Sequence, residues 1–158
     1  MDAEITPNPR PVQVLLVDDS RRVRESAQAL LNRSSFQVHL ADNGFDALCK
    51  VVAHRPDIVF MDAVMPELDG FESCSLIRGN PHYAHIPIVL MVSDHGPLAQ
   101  ARADVAGASA LLVKPFGRRE LLGLLEEFLG GAEGGAEVGE NAQAQTQEDE
   151  ADAIRADR

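Results

Sequence analysis

Five short apolar runs recur along this chain, each followed by a segment with helical periodicity, and this alternation limits the possible folds more than any other feature. The runs are VQVLLV (12–17), FQVHLA (36–41), DIVFM (57–61), IVLMV (88–92) and SALLV (109–113). They are rich in branched and large apolar side chains, and most lack the polar alternation of a sheet with one wet face, as expected of strands buried on both faces. The segments between them read as helices. Ser20 stands where an N-cap is needed, and Val23, Ala27, Leu30 and Leu31 then recur at helical spacing. Asp42-Asn43-Gly44 reads as a turn before a helix over 45–54 with Ala47, Leu48, Val51 and Val52 inward, ended by Pro56. Further helices are predicted over 71–78, over the Ala-rich 98–106 stopped near Gly107, and over 118–129. In the last, Leu121, Leu122, Leu124, Leu125, Phe128 and Leu129 cover an arc of about 160°, a docking face. Strands alternating with helices predict βαβ units, a parallel sheet covered on both sides, and right-handed crossovers.

The chain has 158 residues, enough for one ordinary domain with extensions. The first eleven residues carry three prolines and no periodicity, and read as an extended leader with no secretory signal. Residues 131–158 carry eight acids, two bases and no aromatics, which predicts an acidic, low-complexity, disordered tail holding −6 of the formal charge of −11. The domain is then expected over 12–130. No apolar run approaches the roughly 20 residues of a membrane span, and the negative charge disfavours nucleic acid, which needs a basic face. A cytoplasmic protein with reduced thiols at Cys49 and Cys74 is expected, since neither belongs to a CxxC pair. His82 and His85, in a Pro-rich loop, read as surface rather than as a metal site.

In a parallel α/β sheet the residues just past the carboxyl ends of the strands meet in one crevice. Asp18 and Asp19 follow the first strand here, Asp62 the third and Lys114 the fifth. Converging carboxylates repel one another unless a divalent cation and an ammonium offset them, and oxygen ligands of this kind suit Mg²⁺. The plainer alternative is that each acid caps the helix that follows it.

DDS (18–20), MDAVMPELDG (61–70), GAS (107–109) and LVKPF (112–116) together resemble the receiver domain of bacterial two-component response regulators, over roughly residues 12–130. The resemblance implies a flavodoxin-like, doubly wound five-stranded sheet of order 2-1-3-4-5. It implies that Asp62 accepts a phosphoryl group from a phosphohistidine on a sensor histidine kinase or phosphotransfer protein. Asp18, Asp19, Asp62 and the carbonyl of Val64 would hold Mg²⁺, Lys114 would pair with the phosphoryl oxygens, and the Lys114-Pro115 bond would be cis. Transfer to a carboxylate needs an in-line nucleophile and neutralised charge, which this set offers. Met65-Pro66 and Asp69-Gly70 are expected to shape the loop, with Gly70 taking a backbone conformation costly for other residues.

Two positions depart from the family's pattern. The Thr or Ser that hydrogen-bonds the phosphoryl group is expected 30 residues after Asp62 and 22 before Lys114, and both spacings fall on Val92. Ser93 would replace it if the strand end slips by one residue. The switch aromatic three residues before the lysine corresponds to Leu111. Output through contacts with a downstream protein is expected, with a switch-deficient adaptor or phosphate sink as the alternative. The run 93–116 also resembles single-domain receivers of chemotaxis and twitching-motility pathways. An aspartyl-phosphate hydrolase is disfavoured because its general acid would stand at Val64, so only self-phosphorylation and dephosphorylation chemistry is expected. A flavodoxin-type carrier is disfavoured because DDSRR replaces a phosphate-cradling loop.

Overall fold

A computed structural model describes residues 10–33 and 35–130. Most of the leader and all of the acidic tail lie outside the described residues. The elements run β1 (Val12–Val17), α1 (Arg21–Leu30), β2 (Phe36–Ala41), α2 (Gly44–His54), β3 (Ile58–Asp62), α3 (Gly70–Arg78), β4 (Ile88–Val92), α4 (Pro97–Ala106), β5 (Ala110–Val113) and α5 (Arg118–Leu129). All neighbouring strands pair in parallel, in the order β2-β1-β3-β4-β5. This is the flavodoxin-like sheet that the resemblance implies. No helix among the described residues is long and apolar enough to cross a membrane.

The three inner strands are buried on both faces because alternate side chains feed two separate cores. Leu15, Val59, Met61 and Leu90 pack with Ala47 and Val51 of α2, Phe71, Cys74 and Ile77 of α3, and Ala103 and Ala106 of α4. Leu16, Phe60 and Met91 pack with Ala27 of α1 and with Leu121 and Leu125 of α5. The arc on α5 docks as expected, with Leu122, Leu124, Phe128 and Leu129 partly buried around those two leucines. The expected inward face of α2 was drawn too wide: Val52 is 59% exposed, since Ala47, Leu48 and Val51 already cover the sheet.

Several boundaries move by a residue for identifiable reasons. Asp57 precedes β3; its carboxylate accepts from the Gln13 backbone N–H at 2.8 Å and from Arg10 at 2.8 Å. Asp62 instead belongs to the strand and ends it. The predicted turn at 42–44 is the start of α2, where the Asn43 side chain accepts from Asp46 N. Ser109 lies before β5, and its hydroxyl accepts from Ile88 N at 3.0 Å and from Arg78 at 3.0 Å. Arg78, closing α3, also donates to the carbonyls of Gly107, Ala84 and Ile86, which ties the α3–β4 and α4–β5 loops together at the end of the sheet away from the acids.

Candidate functional site

Three acids meet at the carboxyl ends of β1 and β3. One carboxylate oxygen each from Asp18, Asp19 and Asp62 lies within 4.8 Å of the others. Asp18 and Asp62 are buried and Asp19 is exposed. Lys114, just past β5, reaches across the sheet: its Nζ lies 3.0 Å from Asp18 Oδ2 and 3.2 Å from Asp62 Oδ1. The Lys114-Pro115 peptide is cis.

The alternative in which each acid only caps a helix does not describe this geometry. Helix α1 is capped by Ser20, whose side chain accepts from Val23 N, and α3 is capped by Asp69, whose side chain accepts from Glu72 N. Asp18 accepts the Ser20 backbone N–H at 2.8 Å, which fixes its carboxylate toward Lys114. Its own carbonyl is held by Arg24 at 2.7 Å. Asp62 makes a long contact of 3.4 Å with Val64 N, and no helix N-terminus claims it.

The electrostatics follow from the packing. Burial, and then the charge of Asp18, push the Asp62 carboxyl above the ordinary carboxylate range, while the charge and hydrogen bond of Lys114 pull it part of the way back. Burial alone would lower the Lys114 ammonium, but its hydrogen bond to Asp18 and the charges of Asp18 and Asp62 outweigh that and raise it. Lysine is therefore held as a cation between two acids. Three carboxylates with one ammonium leave a net negative cluster of hard oxygen donors, the donor set that fits Mg²⁺.

Gly70 serves a purpose other than the one expected. It is the first residue of α3, and the left-handed residue of this loop is Glu67, with φ 69°. A Cβ at position 70 would run into the Asp62 carbonyl oxygen and lie 2.9 Å from Ala63 Cα. Glycine here permits close approach of helix to strand, with Gly70 N–H donating to Ala63 O at 2.9 Å.

Val92 is the last residue of β4, paired with Val113, and its side chain is buried in the core that also holds α3 and α4. Leu111 packs against that same core. Ser93 is exposed, begins the β4–α4 loop, and lines a small cavity of about 160 Å³ with Ala63, Val64 and Arg102. The Val64 side chain is exposed beside Asp62. Two residues escaped the sequence reading. Arg24 holds the Asp18 carbonyl, and Arg102 lies 4.1 Å from the Phe71 ring centroid and 3.5 Å from Asp69 Oδ2. Neither carries a sequence signal, because each acts on a partner chosen by tertiary packing.

Residues 14–126 match the profile of the response regulator receiver domain family. Protein PilG of Pseudomonas aeruginosa is 36% identical over 115 residues, covering 73% of this chain and 85% of PilG. Response regulator MprA of Mycobacterium tuberculosis is 36% identical over 118 residues, 75% of this chain and 50% of MprA, so the chain spans about half the length of that relative. Chemotaxis response regulator CheY4 of Vibrio cholerae superposes with a TM-score of 0.71 at 32% identity, covering 75% of this chain and 99% of that one. The receiver domain of sensor histidine kinase PA1611 of Pseudomonas aeruginosa, solved with a magnesium ion coordinated in its active-site cleft, superposes with a TM-score of 0.71 at 27% identity, covering 77% and 99%. PilG and CheY4 are matched over most of their length and so consist of little besides this domain. Receiver domains as a class bind Mg²⁺ in an acidic site, exchange signals with histidine kinases and downstream targets, and are signalling proteins rather than classical enzymes. With a family profile spanning most of the described residues, a relative matched over most of its length and the same sheet in solved receivers, the chain belongs to the response regulator receiver domain family.

Proposed function

We propose that Asp62 accepts a phosphoryl group from a sensor histidine kinase or phosphotransfer protein, and that the phosphorylated domain signals through protein contacts in the manner of stand-alone response regulators. The observation that carries this reading is the joint placement of Asp62, Asp18, Asp19 and the Lys114 ammonium at adjacent strand ends. A carboxylate oxygen of Asp62 attacks phosphorus, the P–N bond of the phosphohistidine breaks, and its electron pair leaves with the imidazole, which is then reprotonated. Lys114 neutralises the charge spread over the phosphoryl oxygens. Asp18, Asp19, Asp62 and the Val64 carbonyl would hold Mg²⁺, which supplies further neutralisation of those oxygens. Asp18, anchored by Ser20 N and Lys114, is the fixed member of that set, and exposed Asp19 is the open one. Membership of the receiver domain family supports a cytoplasmic setting.

Exposure to a small phosphodonor with Mg²⁺, read on a phosphate-affinity gel, tests the assignment. Wild type should give a shifted band and Asp62→Asn none. An equal band from Asp62→Asn, or no band from wild type, contradicts it.

A further inference from the structure

The end of the sheet opposite the acids holds a cavity of about 490 Å³. It is built where four segments meet: the residues before β1, the α2–β3 connection, the α3–β4 loop and the last turn of α5. Its size falls within the roughly 300–1,000 Å³ usual for small-molecule sites. One acid lines it, Asp57, and that carboxylate is already taken by Arg10 and by the Gln13 backbone N–H. Arg55 also lines it, and among the described residues its guanidinium has no ion-pair or hydrogen-bond partner. Arg55 closes α2 with φ 45° and ψ 64°, a left-handed conformation in which glycine or asparagine is usual. An exposed long cation thus stands at the cavity in a backbone conformation where glycine would be easier. His82 and His85 add ring nitrogens that have no hydrogen-bond partner among the described residues, and Tyr83 and Phe128 add aromatic surface.

We infer that this cavity binds a nucleoside phosphate. The Arg55 guanidinium takes phosphate oxygens through charge-assisted hydrogen bonds, with the two imidazoles as further donors. The base packs on Tyr83 and Phe128. A bare anion would leave most of the volume unfilled. The cavity is distinct from the acidic site and shares no residue with it.

Calorimetry on the full chain with ATP, GTP and inorganic phosphate as probes, in chelator so that no metal links a nucleotide to the acids, tests this inference. Saturable binding of ATP or GTP is expected, weakened about tenfold in Arg55→Gly. Glycine suits this backbone, so that variant removes the guanidinium without opposing the fold, and its phosphoryl uptake should stay at the wild-type rate. No saturable binding of either nucleotide at millimolar concentration overturns the inference. So does equal binding by wild type and Arg55→Gly, or phosphate binding as tight as nucleotide binding. Leu129 lines the cavity, and in sequence the first acid of 131–158 is Glu133. Nucleotide binding seen only when those acids are changed to amides in the full chain would also overturn it, by making that segment the occupant.

Discussion

Gly70→Ala should disable the acidic site without changing any charged group in it. The added Cβ would lie 2.9 Å from both Ala63 Cα and the Asp62 carbonyl carbon, and nearer still to the Asp62 carbonyl oxygen. Carbon atoms in good contact sit about 3.5–4.0 Å apart, so α3 and the end of β3 must separate by roughly 0.5–1 Å. Overpacking of this kind costs about 1–3 kcal/mol. Alanine recovers up to about 1 kcal/mol over glycine in a helix interior, and less at a first helical residue. The net loss should be about 1–2 kcal/mol. The same displacement moves the backbone that carries Asp62, and misplacement by about 1 Å costs on the order of a hundredfold in rate. Urea unfolding and the rate of phosphoryl uptake from a small donor measure the two effects. Gly123→Ala is the control: nothing lies within 4 Å of a Cβ at that position in α5, so it should gain about 0.5–1 kcal/mol and leave uptake unchanged. Gly70→Ala with wild-type stability and wild-type uptake would refute the close-approach reasoning.

In chelator, Asp62→Asn should be more stable than wild type at neutral pH, because an acid whose folded pKa is raised weakens the fold wherever it is ionised. The advantage should fade as pH drops through the folded pKa and vanish below the unfolded value of about 3.9; a difference constant with pH in urea titrations would contradict this. Lys114→Met should slow phosphoryl uptake by about a hundredfold or more. It should also move the Asp62 titration upward in NMR, since Lys114 lowers that pKa in wild type; a downward move counts against the assigned contacts. Val92→Thr puts a hydroxyl where the side chain is 5% exposed, and should cost about 1–2 kcal/mol in the unphosphorylated domain. That cost should shrink on phosphorylation if the hydroxyl reaches the phosphoryl group, and equal losses in both states would exclude such contact.

What could be read from the sequence depended on how local its cause was. The strands were legible because burial on both faces demands uninterrupted apolar runs, as in VQVLLV and IVLMV, and Ser20 was legible as a cap because capping acts within three residues. The acids were legible because a parallel sheet brings strand ends together whatever the loops do. Gly70 was misread: a glycine after Asp suggests a turn, whereas the space it leaves is filled by a carbonyl from the preceding strand. Val52 was misread because helical periodicity gives the width of an apolar arc without saying how much of it the sheet can cover. Arg78 gave no signal at all, since its partners at Ala84, Ile86, Gly107 and Ser109 become neighbours only after folding.

Val92 and Leu111, where the resemblance places the family's switch residues, bear on which element would respond to the proposed phosphorylation of Asp62. Val92 and Leu111 offer no hydroxyl, so a response through those two positions would have to pass through packing. Helix α4 is the most weakly held of the helices beside the β4–α4 loop. It begins after Gly96, which like Gly117 before α5 supplies no side-chain cap, and it buries only Ala103 and Ala106. Helix α5 buries Leu121 and Leu125, and α3 buries Phe71, Cys74 and Ile77 among others. Uncovering one leucine costs about 1.5–3 kcal/mol. The Arg102 links from α4 to Phe71 and Asp69 are a partly exposed cation–π contact and a long surface ion pair, together worth about 1 kcal/mol. Shifting α4 is therefore cheaper than shifting α3 or α5.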